Sequence, residues 1–295
     1  MDLRTVSANG VEFTYMSEGP DDGPLALCLH GFPDSAHSWR HLLPVLAGAG
    51  YRAVAPWMRG YAPTQIPEDG RYQTGALGTD ACALHEALGG DDKAVIIGHD
   101  WGAAAAYSAA SYQPELWRRV VTLAVPPLAV VATTFFDYHQ LKRSFYVFVF
   151  QTALAEVAVA KDDLAFIGHL WADWSPGYDA AFDVHKVKES IGAPENLEAA
   201  IGYYRAMFDP SLHDSAYEKA QTASSSAPPQ PTLYMHGADD GCMALEIVGD
   251  VLPYLSDGSA QENVPGTGHF LHVEKPEVVN ERILRFLAQD QTSSG

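Results

Sequence analysis

Positive charge is scarce in this chain: 18 lysines and arginines stand against 37 aspartates and glutamates, a formal net charge of −19. A surface so short of basic groups has no stripe with which to neutralise phosphates, so nucleic acid and anionic membranes are excluded as partners. Cysteine is equally sparse. Cys28, Cys82 and Cys242 are odd in number and lack metal-ligand spacing, which excludes a disulfide framework and a structural zinc site and fits a reducing, cytoplasmic setting. The N-terminal MDLRTVSANG has no apolar leader core, and no run nears the roughly 18 apolar residues of a membrane span. Internal repeats and low-complexity blocks are also missing. What remains is a chain of 295 residues, 47% hydrophobic, long enough to bury one catalytic core carrying an insertion, or two domains.

The pattern VEFTYMSEG from Val11 alternates apolar and polar residues and predicts a half-buried antiparallel strand, read as a sheet edge. LALCLH (25–30), YRAVAP (51–56), AVIIGH (94–99) and VVTLAV (120–125) are instead short, nearly continuous apolar runs, as parallel strands covered on both faces should be. Helical spacing fills the gaps at 38–47, 75–88 and 101–112. After Val125 the alternation stops at Pro126-Pro127, and residues 128–225 are aromatic-rich and helix-like. SSSAPPQP (224–231) reads as a linker to two more strands, PTLYMHG (231–237) and SAQENVPG (259–266), and a last helix over 276–289. The expected architecture is an α/β core of residues 1–127 and 226–295, interrupted by a helical insert over 128–225. The small, polar tail 289–295 is expected to fray.

Gly98-His99-Asp100-Trp101-Gly102 lies where an apolar strand turns directly into a small-residue helix. Such a turn needs small residues two before and two after its apex, because a Cβ there would strike neighbouring backbone. Aspartate at the apex is therefore a candidate nucleophile, against the simpler reading that Asp100 caps the helix. Upstream, His30-Gly31-Phe32-Pro33-Asp34 closes a strand and can aim the Phe32 N–H at the same point as the Trp101 N–H, an oxyanion hole. Downstream, Gly237-Ala238-Asp239-Asp240 and Gly266-Thr267-Gly268-His269-Phe270 each follow a strand. Asp240 is favoured over Asp239 by spacing, and His269 over His272 because two glycines free its loop; Glu274 reads as structural. The chain order nucleophile, acid, histidine is that of α/β hydrolases.

HGFPDSAHSW, GHDWG, HGADDG and GTGHFLHVEKP together resemble the α/β-hydrolase epoxide hydrolases, related to the haloalkane dehalogenases, over nearly the whole chain. The resemblance implies a mostly parallel central sheet flanked by helices, with a helical cap inserted after the sixth strand. It also implies two cap tyrosines that hold the epoxide oxygen. Tyr146, five residues before Gln151, and Tyr204, directly before Arg205, match the flanking patterns. Phe32, Trp101, Tyr146 and Tyr204 are then the substrate-binding set. One departure is Trp57-Met58-Arg59-Gly60-Tyr61-Ala62, where the family shows Asp-x-Arg-Gly-Tyr-Gly: Arg59 loses an expected partner, and Trp57 is expected to reshape the wall near the site.

The implied chemistry is consistent with these residue types. A carboxylate can attack an sp³ carbon and leave an alkyl ester, tyrosines can donate to the departing oxygen, and histidine held by aspartate can activate water. The expected partners are a small-molecule epoxide and water, with no metal and no organic cofactor, in a monomer or homodimer. Haloalkane dehalogenation is the nearest rival, but Phe32 is apolar where a second halide donor is needed. A fluoroacetate dehalogenase would carry arginine in place of Trp101. A non-catalytic ligand carrier of the same fold is the alternative from another class.

Overall fold

The computed structural model describes residues 2–289; the fraying expected of the tail falls on 290–295, outside them. Eight strands form one sheet: β1 (Asp2–Ala8), β2 (Val11–Glu18), β3 (Leu25–Leu29), β4 (Arg52–Pro56), β5 (Val95–His99), β6 (Arg119–Leu123), β7 (Thr232–Gly237) and β8 (Ala260–Val264). Their order is β1-β2-β4-β3-β5-β6-β7-β8. β1 pairs with β2 and β2 with β4 antiparallel, and every later pairing is parallel. β3, β5, β6 and β7 are buried at every residue, which is why LALCLH, AVIIGH and VVTLAV read as nearly continuous apolar runs.

One expectation fails at the edge. β2 lies between β1 and β4, and β1 is the outer strand. DLRTVSA gave no strand signal because most of its side chains face water, so no hydrophobic alternation is required of it.

Core helices α1 (Leu43–Gly48), α2 (Thr74–Ala87) and α3 (Trp101–Tyr112) fall between the early strands. The predicted helix over 38–47 is split: Ala36–His41 is a 3₁₀ turn, and α1 begins only at Leu43, with Pro44 in its first turn. Between β6 and β7 come α4 (Leu128–Thr134), α5 (Tyr138–Arg143), α6 (Phe145–Phe150), α7 (Ala155–Trp174), α8 (Ala181–Ile191), α9 (Pro194–Phe208) and α10 (Glu218–Ala223), with no strand among the described residues there. α7 is two helices joined across a break, with Asp162, Asp163 and Leu164 at positive φ. α11 (Leu245–Val248), α12 (Leu271–Glu274) and α13 (Pro276–Leu287) complete the chain. The three cysteines are buried and unpaired. Among the described residues no helix is long and apolar enough to cross a membrane.

Candidate active site

The bend from β5 into α3 holds Asp100 at φ 54° and ψ −119°, a conformation costly for any residue with a Cβ. It is possible only because both flanks are glycine. A Cβ on Gly98 would run into the Gly102 carbonyl, and one on Gly102 into the Leu29 carbonyl. The Asp100 side chain makes no cap hydrogen bond to α3. Its Oδ1 instead accepts the Phe32 N–H at 2.8 Å, delivered by the loop after β3. That loop is pinned by His30, whose Nε2 accepts the Met58 N–H at 3.0 Å, leaving Nδ1–H for the Gly31 carbonyl.

The loop after β8 brings His269 to the other carboxylate oxygen, with Nε2 3.5 Å from Asp100 Oδ2. On the far side His269 Nδ1 lies 3.0 Å from Asp240 Oδ2. Asp240 Oδ1 accepts the N–H groups of Cys242 and Met243 at 2.7 and 2.9 Å, so the turn after β7 fixes the carboxylate. Asp239 is exposed. His272 is buried elsewhere, its nearest carboxylate being Asp34 at 4.0 Å.

All three groups are buried. Burial opposes the imidazolium of His269, but Asp240 and Asp100 on either side outweigh it and raise the histidine to about 10. Burial likewise penalises the two carboxylates, yet His269 holds both Asp100 and Asp240 below the ordinary aspartate value. The resting trio is an imidazolium between two carboxylates.

Above Asp100 the insert closes a cavity of about 240 Å³ whose lining includes Asp100, Trp101, Tyr146 and Tyr204. Tyr146 and Tyr204 meet edge to face with ring centroids 5.5 Å apart. The Tyr146 hydroxyl faces Cys242 Sγ at 3.6 Å. That of Tyr204 makes no hydrogen bond, although the Trp101 indole is near enough to offset a little of its pKa rise. Burial, with nearby groups including Asp100 adding to it, pushes both phenols well above 10, so they stay protonated. The Phe32 ring packs against Phe150 and Tyr204, behind the cavity wall, so it is the backbone of this residue that reaches the site.

The sequence profile of the alpha/beta hydrolase fold matches residues 24–276. The chain belongs to the α/β-hydrolase family. It is 30% identical to epoxide hydrolase A of Mycobacterium tuberculosis, over 96% of each chain. An AB hydrolase superfamily protein of Bacillus subtilis matches equally, at 30% over 96% of each. The crystal structure of an epoxide hydrolase of Bacillus megaterium with an inhibitor superposes with a TM-score of 0.81 at 26% identity, covering 96% of this chain and 99% of that one. Within the family this α/β hydrolase groups with the epoxide hydrolases, which are hydrolases of ether bonds.

Two expectations about Trp57 and Arg59 of this hydrolase are corrected. Trp57 is not among the cavity-lining residues; its indole N–H donates to Ser190 Oγ of α8 at 3.1 Å, at the seam between insert and core. Arg59 is not left without a carboxylate, because Asp80 on α2 takes its Nε and Nη2 at 2.5 Å each. Among the aromatics of the insert, Phe135 lines the cavity. Trp171 stacks on Phe270 at 3.4 Å and Trp174 stands edge-on to His269 at 5.0 Å, so both support the histidine loop instead.

Several supporting residues had not been singled out. The Trp174 carbonyl accepts the His269 N–H at 2.9 Å, and Ser175 Oγ accepts that of Phe270. Glu274 takes the Gly268 N–H and the Ser175 hydroxyl, which is the structural part expected of it. His99 Nε2 lies 3.0 Å from the His269 carbonyl and must be the donor, and its Nδ1 stands 3.7 Å from Asp34 Oδ2. Asp34, His99 and His272 are the one group among the described residues whose donor atoms converge as a metal site would, all within 4.8 Å. Separations of 3.7 and 4.0 Å exceed the edge of about 3.3 Å that tetrahedral bonds of about 2.0–2.1 Å require, so the trio as it stands is a buried cluster of polar groups behind His269 whose facing atoms make no hydrogen bond. All three stand in motifs quoted from the sequence, Asp34 in HGFPDSAHSW, His99 in GHDWG and His272 in GTGHFLHVEKP, but nothing in those motifs says that they meet.

Proposed function

We propose that this hydrolase adds water to an epoxide in two steps, through an ester on Asp100, with residues 128–225 serving as a cap over a core of 1–127 and 226–295. The observation that carries the reading is a single ionised carboxylate at the floor of an apolar cavity, faced by two protonated tyrosines and backed by a histidine–aspartate pair. Oδ2 of Asp100 attacks a ring carbon, the carbon–oxygen bond breaks, and the oxygen takes a proton from Tyr146 or Tyr204. Tyr204, whose hydroxyl is unpaired, and Tyr146, held only by a weak sulfur acceptor, give up little to make that bond.

Esterification removes one of the two negative charges that raise His269. The imidazolium then gives its proton to the tyrosinate, and the free imidazole can take one from water. Hydroxide adds to the ester carbon, the Phe32 and Trp101 N–H groups receive the oxyanion, and collapse releases a vicinal diol whose freed oxygen takes the proton from His269. The Asp100 carboxylic acid left behind gives its proton to His269, which restores the resting trio, and Asp240 holds the histidine throughout. Each oxyanion donor is of a kind worth about 2.7–4 kcal/mol elsewhere.

His269→Gln tests the scheme, because alkylation needs no base and hydrolysis does. Intact-protein mass spectrometry of the folded variant after exposure to a reactive epoxide should show a stable adduct on the peptide containing Asp100. A folded variant with no adduct contradicts the two-step reading.

A further inference from the structure

We infer that the substrate is an uncharged epoxide with an extended apolar tail, and that the tail leaves the cavity between α4, α6 and α9 to lie on an exposed aromatic rim built from Phe136, Phe148 and Phe208. The inference rests on the epoxide reading above and adds a second subsite to it.

Inside the cavity, Asp100 is the sole charged residue of the lining. The Gln140 amide is already engaged with Ser144 and with the Cys242 carbonyl. A carboxylate or phosphate on the buried part of a substrate would therefore be desolvated with no cation to pair it and repelled by Asp100, whereas an ammonium would pair with Asp100 and occupy the nucleophile. The volume, about 240 Å³, is also small. At about 30 Å³ for each water-sized group it holds roughly eight of them, so a longer molecule must protrude.

Where it protrudes is marked by Met207 of α9, which lines the cavity yet is 41% exposed. Beside it Phe135, also lining, is ringed on its outer side by Phe136, Phe208 and Phe148, with centroids at 5.3, 5.8 and 6.0 Å. Phe148 and Phe208 stack on each other at 6.0 Å. Exposures of 66%, 41% and 38% for Phe136, Phe148 and Phe208 make this a continuous apolar surface that begins inside the site and ends in water. A patch continuous with a cavity is suited to one ligand bridging both.

The experiment is a series of terminal epoxyalkanes from about four to about twelve carbons, below their micelle concentrations, with wild type and with Phe148→Ser/Phe208→Ser. In the wild type kcat/KM should climb about two- to fourfold per methylene, and go on climbing beyond about eight carbons. In the variant the climb should stop there while the shortest substrates are unaffected. Glycidate, which places its carboxylate inside, should be turned over far more slowly than the four-carbon epoxide. Parallel chain-length profiles, or efficient glycidate turnover, would overturn the inference while leaving the epoxide reading intact. Turnover of no epoxide at all would sink both. If the two proteins differ in solution mass but not in profile, the rim is a contact between copies and holds no tail.

Discussion

Asp100 reaches the cavity floor on a strained backbone, which costs of order 1–3 kcal/mol for a residue held at such φ and ψ. The strain is tolerated because the β5–α3 bend over-determines it, and the return is a carboxylate that faces the cavity and does not cap α3. At this scale the sequence was most legible. A glycine two before and two after an apex has a steric reason that survives in one dimension, and the same holds for the G-x-x-D and G-x-G-H turns that carry Asp240 and His269. The tyrosines were legible only through resemblance, since nothing in the pattern of α6 or α9 says which aromatic faces inward. Both phenols are pushed to higher pKa by burial and stay donors at neutral pH. Tyr146→Phe with Tyr204→Phe should therefore lower the rate of ester formation by about 10²–10⁴, measured by single-turnover quench, with the circular dichroism spectrum unchanged. A rate equal to wild type would remove both hydroxyls from the reaction.

The elements position these residues by means the sequence shows unevenly. β3, β5 and β6 were readable because burial on both faces leaves a nearly continuous apolar run. β1 was not, because an outer strand with solvent on most of its side chains has no such constraint. The direction of Trp57 was equally hidden: a large side chain after β4 could turn to the cavity or to α8, and only packing decides. Arg59 shows a related limit, since its carboxylate comes from Asp80 on α2, 21 positions away and outside any local motif. Both partners are buried and the Arg59 guanidinium is bound at two atoms by Asp80. Removing one partner of such a pair leaves a buried charge uncompensated, so Asp80→Asn should cost about 3–5 kcal/mol, read from urea unfolding. A loss under about 1 kcal/mol would mean that Asp69, 3.5 Å from Arg59, takes over.

Across the whole molecule, the site is assembled from turns at one end of the parallel sheet together with helices from the insert, so its geometry depends on docking that no single segment encodes. The cavity mouth and the meeting of Asp34, His99 and His272 behind the histidine are products of that docking; the three residues stand in readable motifs, but their convergence had no linear signature. The ion trio couples this assembly to pH. His269 is raised above its unfolded value, so its contribution to stability is complete below about pH 6.5 and is lost as pH rises through about 10. Asp100 and Asp240 are lowered, so theirs is present above about pH 3.8 and is lost as pH falls below it. The difference in unfolding free energy between wild type and His269→Gln should thus be largest between about pH 4 and 6.5 and shrink toward pH 10. A difference independent of pH would show that the histidine contributes packing and no charge.

The central claim, that carbon is bonded to Asp100 before water arrives, is tested most directly by following oxygen. With enzyme in excess of epoxide, a single turnover in heavy-oxygen water should leave the label in the Asp100 carboxylate and release an unlabelled diol, because water attacks the ester carbonyl and not the ring. Label in the diol of that first turnover, with none on the peptide containing Asp100, would contradict the account.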